Sequence, residues 1–205
     1  MVSVQQTGQF VEILLGDGIM NDFYTALNYV NKIIYEPNDL IVKSVQEENQ
    51  NSKYCAGTFL LSSRTIRFRV AKITPTKVGQ FVAFWEKDEN NKNQPYLYEE
   101  APNLLVITTF KNENEFGQFI FSKEVLLKQN ILRSTSTRGK MAIRVYPSWD
   151  SPSSKQALKT QKWQLPYFVD MCNSNKILLD KIMKLYFFNP LQTDAVLEQE
   201  VRARC

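Results

Sequence analysis

Lys155, Lys159 and Lys162 recur at i, i+4 and i+7, with no acid between them. That spacing puts three ammonium groups on one face of a helix. Like charges so placed destabilise an isolated helix by a few tenths of a kcal/mol, roughly, per pair. A polyanion lying along the face would neutralise them. A second set of cations has the spacing of a strand. Arg67 and Arg69 alternate with Phe68 and Val70, so the two guanidinium groups are expected to share one face while Phe68 and Val70 face the core. A guanidinium fork suits phosphate or carboxylate. The bend "KITPTKVGQ" then adds Lys72, Thr74, Lys77 and Gln80. It lacks the glycine spacing and the Gly-Lys-Ser/Thr end of a Walker loop. A third set, "RGKMAIRVYPSWD", interleaves Arg138, Lys140 and Arg144 with Tyr146 and Trp149. Aromatics among cations can stack on bases. Trp149, in a polar loop between prolines, is expected to be an exposed platform, and Trp85 and Trp163 to be core residues. The chemistry these residues suggest is the holding of phosphates.

Catalysis has fewer candidates. The chain contains no histidine, which excludes Ser-His-Asp and Cys-His nucleophiles and every histidine-ligated metal. Cys55, Cys172 and Cys205 are too few for a four-thiolate zinc site in a monomer. No Asp or Glu is followed by Lys two positions later, the spacing of one common class of metal-dependent nuclease. Glu47 and Glu48 are an acidic pair with no matching lysine beside them. A metal-dependent nuclease would need a non-standard acidic site of converging oxygens. No catalytic residue, metal or cofactor is therefore expected.

The elements that must position the cations follow from periodicity. Phe23, Leu27, Val30 and Ile34 are spaced for an amphipathic helix over residues 20–35, capped by Asn21 or Asp22 and ended by Pro37. Short strands are expected at "DLIVKSVQEEN", "SKYCAGTFLLSS", "TIRFRVAKI", "FVAFW", "LLVITTF", "FGQFIF" and "MAIRVYP". Residues 86–103 form an acidic loop. Helices are expected at "KEVLLKQNI" after Ser122, at "KQALKTQKWQL" after Ser153 or Ser154, and at "NKILLDKIMKLYFF". Pro166 should break the second of these. The fold class is α+β: a mostly antiparallel sheet or a partly closed β-barrel, flanked by an N-terminal helix and C-terminal helices.

Composition is that of an ordinary globular domain: 43% hydrophobic and 22% charged residues suffice for a single core in 205 residues. The net charge of +4 is unevenly placed. Residues 49–85 carry six cations and no acid, and residues 125–169 carry eight cations and one acid, Asp150. The acidic segment 86–124 separates them. If the two basic blocks meet in space, the molecule has one strongly cationic face. The sequence shows neither a basic leader nor a run of about 18 apolar residues. With an odd cysteine count, a reduced, cytoplasmic protein away from the membrane is expected.

The stretches "FRVAKITPTKVGQFVAFW", "FGQFIFSKEVLLKQNI" and "RGKMAIRVYPSWDSPSSKQALKTQKWQLPYF" resemble the MepB family, in order and spacing, from about Phe23 to Asp170. Members are small cytoplasmic bacterial proteins named for their position beside a multidrug efflux pump gene. The resemblance implies a likeness to nucleic-acid-binding folds related to restriction-enzyme domains, and it carries no catalytic residue with it. A single domain over residues 1–170 is expected, followed by a helical extension over 171–205 that packs on the core or pairs two chains as a homodimer. The expected function is nucleic-acid binding without catalysis. Duplex DNA, favoured over RNA, would be held through phosphates by Arg67, Arg69, Lys72, Thr74, Lys77 and Gln80 on one patch. Arg138, Lys140, Arg144, Trp149, Lys155, Lys159 and Lys162 would form the other. The alternatives are a metal-dependent nuclease of the restriction-endonuclease-like type and a protein-interaction module linked to efflux regulation.

Overall fold

Alternation of apolar side chains along the central strands builds a sheet that is covered on both faces. In the computed structural model, which describes residues 22–112, 115–171 and 176–187, strands β1 (Val42–Glu47), β2 (Gly57–Leu61), β3 (Arg64–Val70), β8 (Leu104–Phe110), β9 (Phe116–Ser122) and β11 (Phe168–Asp170) form a six-stranded sheet. Its order is β1-β2-β3-β8-β9-β11. Every pairing is antiparallel except β3 with β8, where Phe68 lies opposite Val106. The sheet is open, which decides between the two expected forms.

A parallel pair requires a long crossover, and residues 71–103 provide it. They contain β4 (Lys72–Thr74), β5 (Lys77–Ala83), β6 (Glu86–Lys87) and β7 (Asn93–Gln94). Strands β4 and β5 form a hairpin, to which β10 (Ala142–Val145) adds with Arg144 opposite Phe81. This makes a second sheet of order β10-β5-β4. The acidic loop, expected without regular structure, is pinned by the small β6/β7 hairpin.

The two faces of the large sheet carry different cores. On one, Ile66, Phe68, Val106 and Ile120 pack beneath helix α1 (Phe23–Val30) and helix α4 (Lys176–Phe187). On the other, Leu105, Ile107, Phe119 and Phe121 pack beneath Val82, Phe84 and Ile143 of the second sheet. Helix α2 (Lys123–Lys128) closes that side with Val125 and Leu126. Strands read as near-continuous apolar runs when both faces are covered, which explains "LLVITTF".

The helix ends follow the expected chemistry. Asp22 accepts from the Thr25 amide at 2.9 Å, Ser122 from Val125 at 3.3 Å, and Ser154 from Ala157 at 3.2 Å, opening helix α3 (Lys155–Gln164). The first helix is shorter than expected: after Val30 it widens into a π turn over Asn31–Tyr35 and ends in a single 3-10 turn at Glu36–Asn38. Pro166 ends α3 in another such turn, and the chain then enters β11, a strand not expected from sequence. Helix α4, in the expected C-terminal extension, buries Ile182, Leu185 and Tyr186 in the core. Its Tyr186 hydroxyl lies 2.9 Å from that of Tyr35 and donates to Gln118 at 3.1 Å. Among the described residues no helix is long and apolar enough to cross a membrane.

Candidate nucleic-acid interface

Of the cations expected at the surface, Arg69 is inside the protein and Arg67 is partly buried. Arg67 and Arg69 do share one face of β3, but the second sheet and the crossover cover that face. Arg69 is fully buried. Its Nη2 lies 2.5 Å from Glu48 Oε2, and its Nη1 donates to the Phe68 carbonyl at 2.7 Å. Arg67 donates through Nε to Glu48 Oε1 at 3.2 Å and places its guanidinium carbon 3.4 Å from the centre of the Tyr96 ring. The Tyr96 hydroxyl donates to Glu48 at 3.3 Å. Burial lowers the Arg69 pKa, and the Glu48 carboxylate opposes that shift. Burial likewise raises the Tyr96 pKa, while Arg67 and Arg69 oppose it. This cluster is an internal ion pair, and Arg69 as placed has no surface to offer a phosphate. Gln80 is also buried, its amide donating to the Phe110 carbonyl at 2.7 Å. Glu48, one of the two acids considered for a metal, is occupied by arginines. Among the described residues no three or more acids or cysteines gather as a metal-binding group.

One cation of the first block, Lys77, does meet two of the second, Lys140 and Arg144. Pairing of β10 with β5 brings residue 144 beside residue 81, and a cleft of about 580 Å³ opens between the β4–β5 turn, β10 and α3. Lys77, Lys140 and Arg144 line it together with Thr76, Tyr146, Gln156, Thr160 and Trp163, and no lining residue is an acid. Arg144 donates through Nη1 to Thr74 Oγ1 at 2.9 Å and to the Gly79 carbonyl at 2.8 Å. Its guanidinium carbon lies 5.8 Å from the centre of the Phe81 ring. Gly79 has φ +83°, and an added Cβ would lie 2.7 Å from the Tyr146 ring and 2.9 Å from Arg144 Cγ. The backbone must turn there, and Tyr146 and Arg144 lie across it.

Gln164, which the sequence reading did not single out, ties α3 to β10. Fully buried, it accepts from the Tyr146 amide at 3.0 Å and donates to the Arg144 carbonyl at 3.0 Å. Gln161 similarly donates to the carbonyls of Pro147 and Asp150 at 3.1 and 2.8 Å. Nothing in the order of residues distinguishes these glutamines from solvated ones. Asp150, the one acid of the second basic block, is half-buried near Arg144 and Gly79. Burial raises its pKa, opposed by the charge of Arg144 and by the Gly79 amide.

Lys155, Lys159 and Lys162 are exposed on α3. At about 100° per residue, Gln156, Thr160 and Trp163 form the side of the helix facing the cleft. The lysine stripe forms a neighbouring side, with Lys159 about 60° round the helix from Gln156. It flanks the cleft and does not line it. Lys72 and Arg138 are exposed but lie outside the cleft lining. Trp149 is not a free platform: it is half-buried and meets Phe168 edge-on at 5.2 Å. Trp163 stands between core and cleft, packed on Phe121 at 5.3 Å.

The family profile described as MepB-like matches residues 48–170 of this chain. A solved structure described as the crystal structure of MepB is similar at 41% identity, with a TM-score of 0.65, over 74% of this chain and 99% of the other. A search of curated proteins gave no match.

Proposed function

This chain belongs to the MepB-like family, and from its site we propose that it binds nucleic acid through phosphate contacts, with duplex DNA as the preferred ligand and no catalytic step. The observation that carries the reading is the joining of two basic blocks, far apart in sequence, in one acid-free cleft lined by Lys77, Lys140 and Arg144. Arg144 supplies a fixed guanidinium edge. The lysines supply mobile charges, and the stripe on α3 extends the positive surface past the rim. Phosphate contacts of this kind give affinity and register and carry little sequence information. The absence of a carboxylate from the lining leaves the cations for an external anion. A cytoplasmic setting suits this role and keeps the cysteines reduced.

The test is an anisotropy titration with labelled duplex DNA at two salt concentrations. Binding should weaken steeply, with a log–log slope of about −0.9 for each phosphate neutralised. Replacing Lys77, Lys140 and Arg144 together with Ala should reduce affinity by about 10- to 100-fold at low salt and flatten that slope. No binding at low salt, or a flat salt response, overturns the reading.

A further inference from the structure

We infer that the cleft accepts a single unpaired nucleotide, out of the base stack, with its phosphate on the Lys77/Lys140/Arg144 side and its base toward Tyr146 and Trp163. The inference rests on the nucleic-acid reading above and goes beyond it. Phosphate contact alone needs only donors on an open surface. The site has instead a concavity of about 580 Å³, within the range of roughly 300–1,000 Å³ typical of sites that enclose a small ligand.

Its lining has the parts a nucleotide needs, in separate places. Cations sit on the hairpin and β10. Two aromatic rings, Tyr146 and Trp163, also line the cleft, and both are partly exposed. Stacking on a ring tolerates any base. Gln156 and Thr160 come from α3 and offer donors and acceptors to a base edge. The rings are held in place by the protein: Tyr146 lies over Gly79, and Trp163 rests on Phe121. A fully paired duplex shows its backbone and groove edges and would leave this volume unfilled. A nucleotide outside the stack fills it, and taking a base out is cheapest where it is already unpaired. The lysine stripe beside the rim is placed to hold the flanking backbone.

The experiment compares a fully paired duplex with the same duplex carrying one bulged nucleotide, at a single salt concentration. The bulged duplex should bind about tenfold more tightly. In the Gln156→Trp variant, whose exposed helix position accepts a large side chain into the cleft, that ratio should fall to about one. Equal affinity for paired and bulged duplexes in the unaltered protein overturns this inference and leaves phosphate binding standing. A bulge preference that survives Gln156→Trp also overturns it, since the unpaired nucleotide would then lie elsewhere. Failure to bind either duplex at low salt removes both readings together.

Discussion

The cluster around Arg69 and the cleft around Arg144 use the same side chains to opposite ends. In the first, Arg67 and Arg69 lie on a covered face of a central strand and share the carboxylate of Glu48. In the second, Arg144 is fixed by Thr74 and Gly79 and lines a cleft whose lining holds no acid. An arginine inside a protein must be paired, because desolvating an unpaired charge costs several kcal/mol, roughly, even after relaxation. Arg144 hydrogen-bonds to neutral oxygens, and the half-buried Asp150 is near enough to feel its charge. The partner therefore separates a structural cation from a binding one, and neither composition nor strand alternation reveals the partner.

The largest effect that can break this contrast is at Glu48. Replacing Glu48 with Ala leaves Arg69 charged and buried, and should destabilise the fold by about 3–5 kcal/mol. Chemical denaturation would show this as a lower midpoint at unchanged slope. Adding Arg69→Met should restore part of the loss. A Glu48→Ala protein as stable as its parent would mean that the cluster is not the ion pair described.

Next is Gly79→Ala. The positive φ and the contact with Tyr146 should cost about 1–3 kcal/mol, and the shift of Arg144 should lower DNA affinity as well. Measuring both stability and anisotropy separates the two. A loss of stability with unchanged affinity would show that the fixed edge of Arg144 is not used.

The smallest effect is expected from replacing Lys155, Lys159 and Lys162 together with Ala. Relief of like-charge repulsion should leave stability within about 0.5 kcal/mol of the parent. DNA affinity should fall by a few-fold only, less than for the cleft variant, because the stripe flanks the site. A larger loss than that of the cleft variant would move the main contact to the outer face of α3.

Periodicity made much of the fold legible. The first helix, the cap residues Asp22, Ser122 and Ser154, and the seven expected strands appear near their anticipated places. The parallel β3–β8 pair and β11 were not readable, since register between distant segments leaves no local pattern. At the site, Lys77, Lys140 and Arg144 were legible as cations in acid-free blocks. Arg67 and Arg69 were legible in the same way, and both proved to be paired with Glu48, Arg69 fully buried. Glu48, which decides their fate, stands just outside the acid-free block, 19 positions before Arg67 in the chain.

By itself, the sequence determined that no histidine chemistry is available, which faces alternate and where cations outnumber acids, because these depend on residue type and local spacing. The tertiary structure alone decided which cations meet a carboxylate and which meet each other. Electrostatic energy depends on separation in space and on burial. The pairing of β10 with β5 brought Lys77, Lys140 and Arg144 into one cleft, while the covering of β3 on both faces enclosed Arg69 and set Arg67 against the same carboxylate.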